Sequence, residues 1–233
     1  MRRLALALFL ATTPVAASAF DCHTALVMGL DASRSVDQRE SRLQREGLAD
    51  ALTSPEIVAA IAPHEGTGIA AMAFEWSDPE DQVVIARWRV LDGEAAIEAF
   101  AADVVEGPGI ERRWKTGIGP ALHFAVDAFA DAPAICRRRI IDISGDGPGN
   151  AGNPPHRFRE EGLLGGVTIN GLVIRHPDND QAQGPNRDPL IYYQREVVQG
   201  PGAFVMETAS FDDYPAAIRR KLLRELAPSL ALR

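Results

Sequence analysis

Segments with the pattern of β-strands alternate with segments of helical spacing along almost the whole chain, and this alternation constrains the fold more than any other feature. The strand patterns cover residues 24–30, 68–76, 82–91, 139–144, 167–174 and 203–207. Helical patterns cover residues 36–61 with a break at Ser54-Pro55, and then 93–105, 116–131, 157–164, 190–199 and 212–226. Alternating strands and helices predict an α/β fold with a mostly parallel sheet that is covered by helices on both faces.

The second and third strand patterns are joined by a short turn, 77–80, which predicts a hairpin. The sheet is therefore expected to be six-stranded and doubly wound, with one antiparallel edge strand. In such sheets ligands bind beyond the carboxyl ends of the strands, where the strand order reverses. Functional side chains are expected just after the first and fourth strands.

The first nineteen residues have the pattern of a secretory signal. Arg2 and Arg3 precede an apolar run, 4–16, and small residues follow at 17–19. The apolar run is shorter than the roughly 20 residues that a spanning helix needs, and no later stretch is long enough. We predict cleavage after Ala19, a single domain over residues 20–233 without a membrane span, and export to the periplasm or the medium.

The net charge and the cysteine content limit the range of possible functions further. The chain has a net charge of −8, and without Arg2 and Arg3 the remaining residues carry −10. Nucleic acids are recognised by clustered Lys and Arg, so this balance argues against such a partner. The two cysteines, Cys22 and Cys136, are more often a disulfide than a catalytic or metal site in an oxidising compartment, provided that the fold brings them together.

Oxygen-bearing side chains occur where the fold predicts a ligand site. Asp31, Ser33 and Ser35 alternate directly after the first strand, Asp146 follows the fourth, and Thr116 begins a predicted helix. Oxygen ligands suit a hard divalent cation. Taken singly, these residues also fit ordinary roles, because serine and threonine cap helices and Asp-Gly forms turns.

Together, DxSxS at 31–35, TGIGPAL at 116–122 and Asp-Gly at 146–147 resemble the metal-ion-dependent adhesion site (MIDAS) of von Willebrand factor A domains. The resemblance runs from about residue 23 to residue 226 and extends to a group of secreted bacterial proteins of unknown function with such a domain. It implies a Rossmann-like fold in which Asp31, Ser33, Ser35, Thr116 and Asp146 surround a divalent cation. Mg²⁺ is the expected ion, with Mn²⁺ and Ca²⁺ as alternatives. It also implies a protein partner whose Asp or Glu carboxylate completes the coordination.

The same resemblance makes strands one and four parallel neighbours, which bears on the cysteines. Cys22 lies nine residues before Asp31, and Cys136 lies ten before Asp146. Both cysteines then fall at the amino ends of neighbouring strands, about 4.8 Å apart, within the roughly 4.4–6.8 Å that a disulfide requires between Cα atoms. We expect a Cys22–Cys136 bond.

The loop before Thr116 is charged and lies near the expected metal face. Arg112, Arg113, Trp114 and Lys115 are candidates for a rim that contacts a partner. A solvated loop and a packing role for the tryptophan are the alternatives.

An enzymatic function is the main alternative to binding. A phosphatase or another metal-dependent hydrolase with an aspartyl nucleophile would have a second aspartate where this chain has Ser33. Neither a GxSxG segment nor a glycine-rich phosphate loop occurs. We therefore expect a binding module without catalytic residues. A scaffold with a vestigial metal site is the third hypothesis, and the sequence does not indicate the oligomeric state.

Overall fold

Six strands form one sheet in the computed structural model, which describes residues 21–62, 67–111, 114–176 and 188–227. The strands are β1 (Asp21–Asp31), β2 (Thr67–Trp76), β3 (Gln82–Leu91), β4 (Cys136–Gly145), β5 (Thr168–Ile174) and β6 (Val205–Thr208). Their order across the sheet is β3-β2-β1-β4-β5-β6. β3 is antiparallel to β2, and the other neighbouring pairs are parallel. The predicted fold class, including the antiparallel edge strand, is confirmed.

The helices lie between these strands in the order that the sequence predicts. They are α1 (Gln38–Leu52), α2 (Pro55–Ile61), α3 (Glu94–Glu106), α4 (Ile118–Ala128), α5 (Pro155–Glu160), α6 (Pro189–Tyr192) and α7 (Tyr214–Leu226). α1 begins with a capping box in which Asp37 and Glu40 satisfy each other's backbone N–H groups. None of the helices in the described residues is long and apolar enough to cross a bilayer.

Both faces of the sheet are buried, as the apolar character of β1 requires. Leu26 and Met28 belong to one hydrophobic cluster, and Ala25 and Val27 belong to another. Because successive side chains of a strand point to opposite faces, the two clusters lie on opposite sides of the sheet. The first includes residues of α1, α2, α3 and α7, and the second includes residues of α4 and of the segment after α6.

Several elements differ from the predicted boundaries, and two of these differences have a clear physical reason. β4 begins at Cys136 rather than at residue 139 because its first residues pair with β1, in the register Cys22 to Cys136 and Thr24 to Arg138. The helix expected over 190–199 is only the short α6 followed by a π-helical turn, Tyr193–Val197. It ends there because Gln199 forms an antiparallel bridge to Ile169 of β5, which requires extended backbone.

The expected disulfide is present. Cys22 and Cys136 are register partners on neighbouring strands, with their Cα atoms 4.4 Å apart and their sulfur atoms bonded. The bond joins the amino ends of β1 and β4 across a sequence separation of 114 residues.

A buried cluster of charges fixes α7 to the sheet. Lys221 is fully buried, and its Nζ lies 2.6 Å from Asp142 Oδ1 of β4 and 2.7 Å from Glu225 Oε1. Asn170 of β5 donates a hydrogen bond to the same Glu225 oxygen at 2.9 Å. Burial, followed by the charge of Asp142, raises the pKa of Glu225 to about 8. Two carboxyl groups therefore share one ammonium group, and burial favours the neutral form of Glu225.

Candidate metal centre

The candidate site lies at the centre of the sheet, where the strand order reverses. β1 is paired with β2 on one side and with β4 on the other. Asp31 is the last residue of β1, and Asp146 directly follows β4. The carboxyl ends of two neighbouring parallel strands thus bring these two aspartates to the same edge, which is where ligands bind in sheets of this kind.

Three hydrogen bonds hold the turn after β1 in its conformation. The Ser33 backbone N–H donates to Asp31 Oδ1 at 2.7 Å. The Val36 N–H donates to the Ser33 carbonyl at 3.0 Å and closes the turn before α1. The Gln44 side chain of α1 donates to the Asp31 carbonyl at 2.8 Å.

A chain of contacts crosses from this turn to β4. The hydroxyl oxygens of Ser33 and Ser35 are 3.2 Å apart, and the Ser35 hydroxyl donates to Asp146 Oδ1 at 2.9 Å. Asp31, Ser33 and Asp146 are each only 1% exposed, whereas Ser35 is exposed. The structure thus brings four of the five expected ligands together, with Ser35 on the side that solvent reaches.

Thr116, the fifth expected ligand, is hydrogen-bonded to Asn150 in the loop that follows Asp146. Its N–H donates to Asn150 Oδ1 at 2.9 Å, and the Asn150 backbone N–H donates to the Thr116 carbonyl at 2.9 Å. The Asn150 side-chain amide also donates to the Thr116 hydroxyl at 3.4 Å. Thr116 is buried and lies two residues before the start of α4. Among the described residues its side chain and N–H are hydrogen-bonded to Asn150 rather than directly to the serines or aspartates.

Two buried carboxylates give this site an unfavourable charge on its own. Burial, followed by the nearby charge of Asp146, raises the pKa of Asp31 to about 8. Burial also raises the pKa of Asp146, although the hydrogen bond from Ser35 opposes this shift. Burial disfavours the charged form of a carboxyl group. A cation bound between Asp31 and Asp146 would therefore stabilise their charged forms.

One oxygen of Asp31 has no hydrogen-bond donor among the described residues. Asp31 Oδ2 is buried and accepts no hydrogen bond from the residues that the structure describes. Gly145 leaves the space beside it open, since a Cβ at that position would lie 2.9 Å from Asp31 Oδ2 and 2.5 Å from the Tyr193 hydroxyl. Burying such an oxygen without a partner is costly, and coordination of a cation would satisfy it.

The donor set fits a hard cation. Its atoms are carboxylate and hydroxyl oxygens, which Mg²⁺, Mn²⁺ and Ca²⁺ accept. Within the described part of the chain, no group of three or more His, Cys, Asp or Glu side chains is arranged to hold a metal. Two carboxylates supplemented by hydroxyls are compatible with that finding, because hydroxyl ligands are not part of such a group.

A buried ion pair positions the loop that leads to Thr116. Arg45 of α1 donates to Glu75 Oε1 of β2 at 2.8 Å, and Glu75 Oε2 accepts the Ile110 N–H at 2.9 Å. The Arg45 guanidinium also donates to the carbonyls of Gly107 and Pro108 at 2.8 and 2.9 Å. The sequence interpretation missed this pair, just as it missed Gly145 and Tyr193, because none of them stands in a local motif.

The expected rim is exposed where the structure describes it. Trp114 is 63% exposed, and the Arg34 guanidinium lies 5.8 Å from its ring centroid. Both line a cavity of about 650 Å³. Lys115 is exposed as well. Arg112 and Arg113 lie outside the described residues.

Solved structures with the same fold identify the class of domain. Proximal thread matrix protein 1 from the mussel byssus superposes with a TM-score of 0.62 at 15% identity, over 90% of this chain and 49% of that one. A second structure of that protein, with a zinc-occupied MIDAS motif, gives 0.59 at 17% identity over 90% and 49%. The von Willebrand factor type A structure from Catenulispora acidiphila gives 0.61 at 14% identity over 88% and 43%. The chain has the von Willebrand factor A fold and spans about half the length of these structures.

The family of the chain follows from its sequence. Residues 21–230 match the family described as "Protein of unknown function (DUF1194)", and the chain belongs to that family. A comparison with curated proteins gives no significant match.

Proposed function

We propose that this chain is an exported protein-binding module that holds a divalent cation between β1 and β4 and presents it to a carboxylate of a partner protein. The observation that carries the proposal is the contact chain from Asp31 through Ser33 and Ser35 to Asp146, together with the buried Asp31 Oδ2 that lacks a donor among the described residues. The fold is shared with adhesion-type domains, which supports binding as the role.

The five expected ligands fall into two groups, according to whether they supply a charged or a neutral oxygen. Asp31 and Asp146 supply the negative charge that a cation requires, and the hydroxyls of Ser33, Ser35 and Thr116 supply neutral oxygens. A cation bound by so few charges keeps an electrophilic position, which an acidic side chain of a partner can fill. We propose Mg²⁺ as the resident ion, since the donors are all oxygen.

The exposed side chains beside the site support a protein as the partner. Trp114 presents a large apolar surface, and Arg34 adds a positive charge on the same face. Aromatic and arginine side chains are the ones that carry most of the energy in protein interfaces. An acidic residue on the cation, with a neighbouring carboxylate or aromatic group against Arg34 and Trp114, fits this face.

Export and the absence of catalysis are part of the same proposal. The signal pattern over 1–19 supports export, and the Cys22–Cys136 bond is compatible with an oxidising compartment. Ser33 occupies the place of a second catalytic aspartate, and its oxygen lies against Ser35. A serine hydroxyl is too weak an acid to replace a carboxyl group as general acid or base at neutral pH, so we propose binding without turnover.

The test is metal-dependent capture of a partner from a periplasmic extract. Immobilised protein is compared with Asp31→Asn and with Asp50→Asn, a matched control because Asp50 is an exposed aspartate of α1. We expect a partner that is retained with Mg²⁺, released by a chelator and lost with Asp31→Asn alone. The proposal would be overturned if the chelator and Asp31→Asn both left the capture of the partner unchanged. Hydrolysis of a phosphate ester that depends on Asp31 would also overturn it.

A further inference from the structure

A basic cavity lies at the opposite end of the sheet from the candidate metal centre. It has a volume of about 820 Å³ and is lined by Arg137, Arg138 and Arg139 at the start of β4 and by Arg159 of α5. Arg139 lies seven positions before Asp146 along extended β4, so the cavity is about 23 Å from the site described above. Four arginines in one cavity are unexpected in a chain with a net charge of −8.

Two of these arginines are not paired with any carboxylate of the described residues. Arg139 Nε donates to the Gly166 carbonyl at 3.2 Å, and its guanidinium lies 5.8 Å from the Phe129 ring. Arg159 donates to Gln199 Oε1 at 2.9 Å and to the Glu196 carbonyl at 2.5 Å. Within the described residues neither arginine forms an ion pair, because every one of these acceptors is neutral. The Glu196 carboxylate instead contacts His156 at 2.9 Å.

The same contacts orient the guanidinium groups without using up their donors. A guanidinium has five N–H groups, and the contacts above engage one on Arg139 and two on Arg159. A planar group held by some of its N–H groups keeps the others in a fixed direction, which lowers the entropy lost on binding an anion.

Glycines in the wall of the cavity leave room for the guanidinium groups of Arg139 and Arg159. Gly166 has a left-handed backbone with φ of 69°, and a Cβ there would lie 2.5 Å from Arg139 Nη2. Gly162, Gly165, Gly200 and Gly202 line the same cavity. A glycine-rich wall lets a ligand approach the backbone closely.

We propose that this cavity binds a phosphoryl group, either on a small soluble compound or on a phospholipid headgroup, through Arg139 and Arg159. Arginine forks match the oxygen geometry of phosphate, and the cavity volume lies within the range of about 300–1,000 Å³ that small-molecule sites have. The site does not depend on the metal centre, so the two proposals fail or succeed separately.

The experiment compares purified wild-type protein with Arg139→Gln/Arg159→Gln. The matched control, Arg157→Gln/Arg219→Gln, removes the same charge from exposed arginines outside the cavity. Pyrophosphate is titrated by calorimetry, and flotation is measured with phosphatidylcholine vesicles with and without phosphatidylglycerol. Circular dichroism confirms that each variant is folded, and a second pair, Arg139→Lys/Arg159→Lys, keeps the charge but loses the forks.

We expect saturable binding of pyrophosphate or of phosphatidylglycerol vesicles by the wild type and the control. The glutamine variant should weaken it at least about ten-fold, in line with the loss of charge-assisted hydrogen bonds, and the lysine variant should also weaken it. Pyrophosphate binding identifies a soluble source, and binding of vesicles alone identifies a headgroup. Absence of binding to both probes, or equal weakening in the control, would overturn the proposal.

Discussion

Replacing Glu225 by glutamine should remove a specific part of the pH dependence of stability. Glutamine keeps the shape of the side chain and retains an oxygen that can accept the Asn170 hydrogen bond, but it cannot ionise. It therefore reproduces the neutral acid that burial favours and leaves Lys221 paired with Asp142.

The magnitude follows from the two pKa values of Glu225. Its pKa rises from 4.5 to about 8 on folding, so the folded state binds a proton more tightly than the unfolded chain does. Stability from this group is complete below pH 4.5 and is lost as the pH rises through about 8. The full difference corresponds to about 5 kcal/mol, of which about 3–4 kcal/mol is lost between about pH 5 and pH 8.

The assay is urea unfolding across that pH range for the wild type, Glu225→Gln and an exposed control, Glu98→Gln. We expect the unfolding free energy of the wild type to fall, relative to that of Glu225→Gln, by the amount above. The unfolding free energy of the control should change with pH as that of the wild type does. The contributions of other ionisable groups are the same in all three proteins and cancel in the comparison. Parallel curves for wild type and Glu225→Gln would refute the reasoning about the buried cluster.

Three further predictions concern the frame of the site. Replacing Cys22 and Cys136 by alanine opens a loop of 114 residues and should lower the free energy of unfolding by about 5 kcal/mol from loop entropy; urea midpoints check this, and a loss below about 1 kcal/mol would contradict it. Arg45→Met should lower the free energy of unfolding by about 3–5 kcal/mol because Glu75 is left buried without its ion-pair partner. Adding Glu75→Gln should restore part of that stability in thermal unfolding, and no restoration would contradict a role for the pair. Trp114→Ala should change stability by less than about 0.5 kcal/mol because the side chain is exposed, yet it should weaken metal-dependent capture of a partner; unchanged capture would remove this residue from the rim.

Elements with a clear period were predictable from sequence, and those set by distant contacts were not. β2 and β3 appear with nearly the expected bounds because apolar runs and the turn between them define their ends. The start of β4 was missed because three consecutive arginines, 137–139, conceal a strand whose pairing with β1 depends on the tertiary fold. The helix expected over 190–199 is interrupted by the bridge between Gln199 and Ile169, which are 30 positions apart.

In the candidate site, too, the residues of a local motif were predictable from sequence and those placed by distant contacts were not. Asp31, Ser33 and Ser35 stand close together in a recognisable motif, and the topology of the sheet brings Asp146 to them. Tyr193 has no such signal, because its hydroxyl reaches the space beside Gly145 only after α6 has packed against the sheet. Side chains that depend on packing across layers cannot be found from local pattern alone.

Metal binding is the central claim, and calorimetric titration of Mg²⁺ into purified protein tests it most directly. We predict one ion per chain for the wild type and for Asp50→Asn, and no binding for Asp31→Asn. Mg²⁺ at about 100 times its dissociation constant should stabilise the wild type by about 2.7 kcal/mol, which raises the melting temperature of a chain of this size by about 5–10 °C. Equal heats and equal melting shifts for the wild type and Asp31→Asn would contradict the claim.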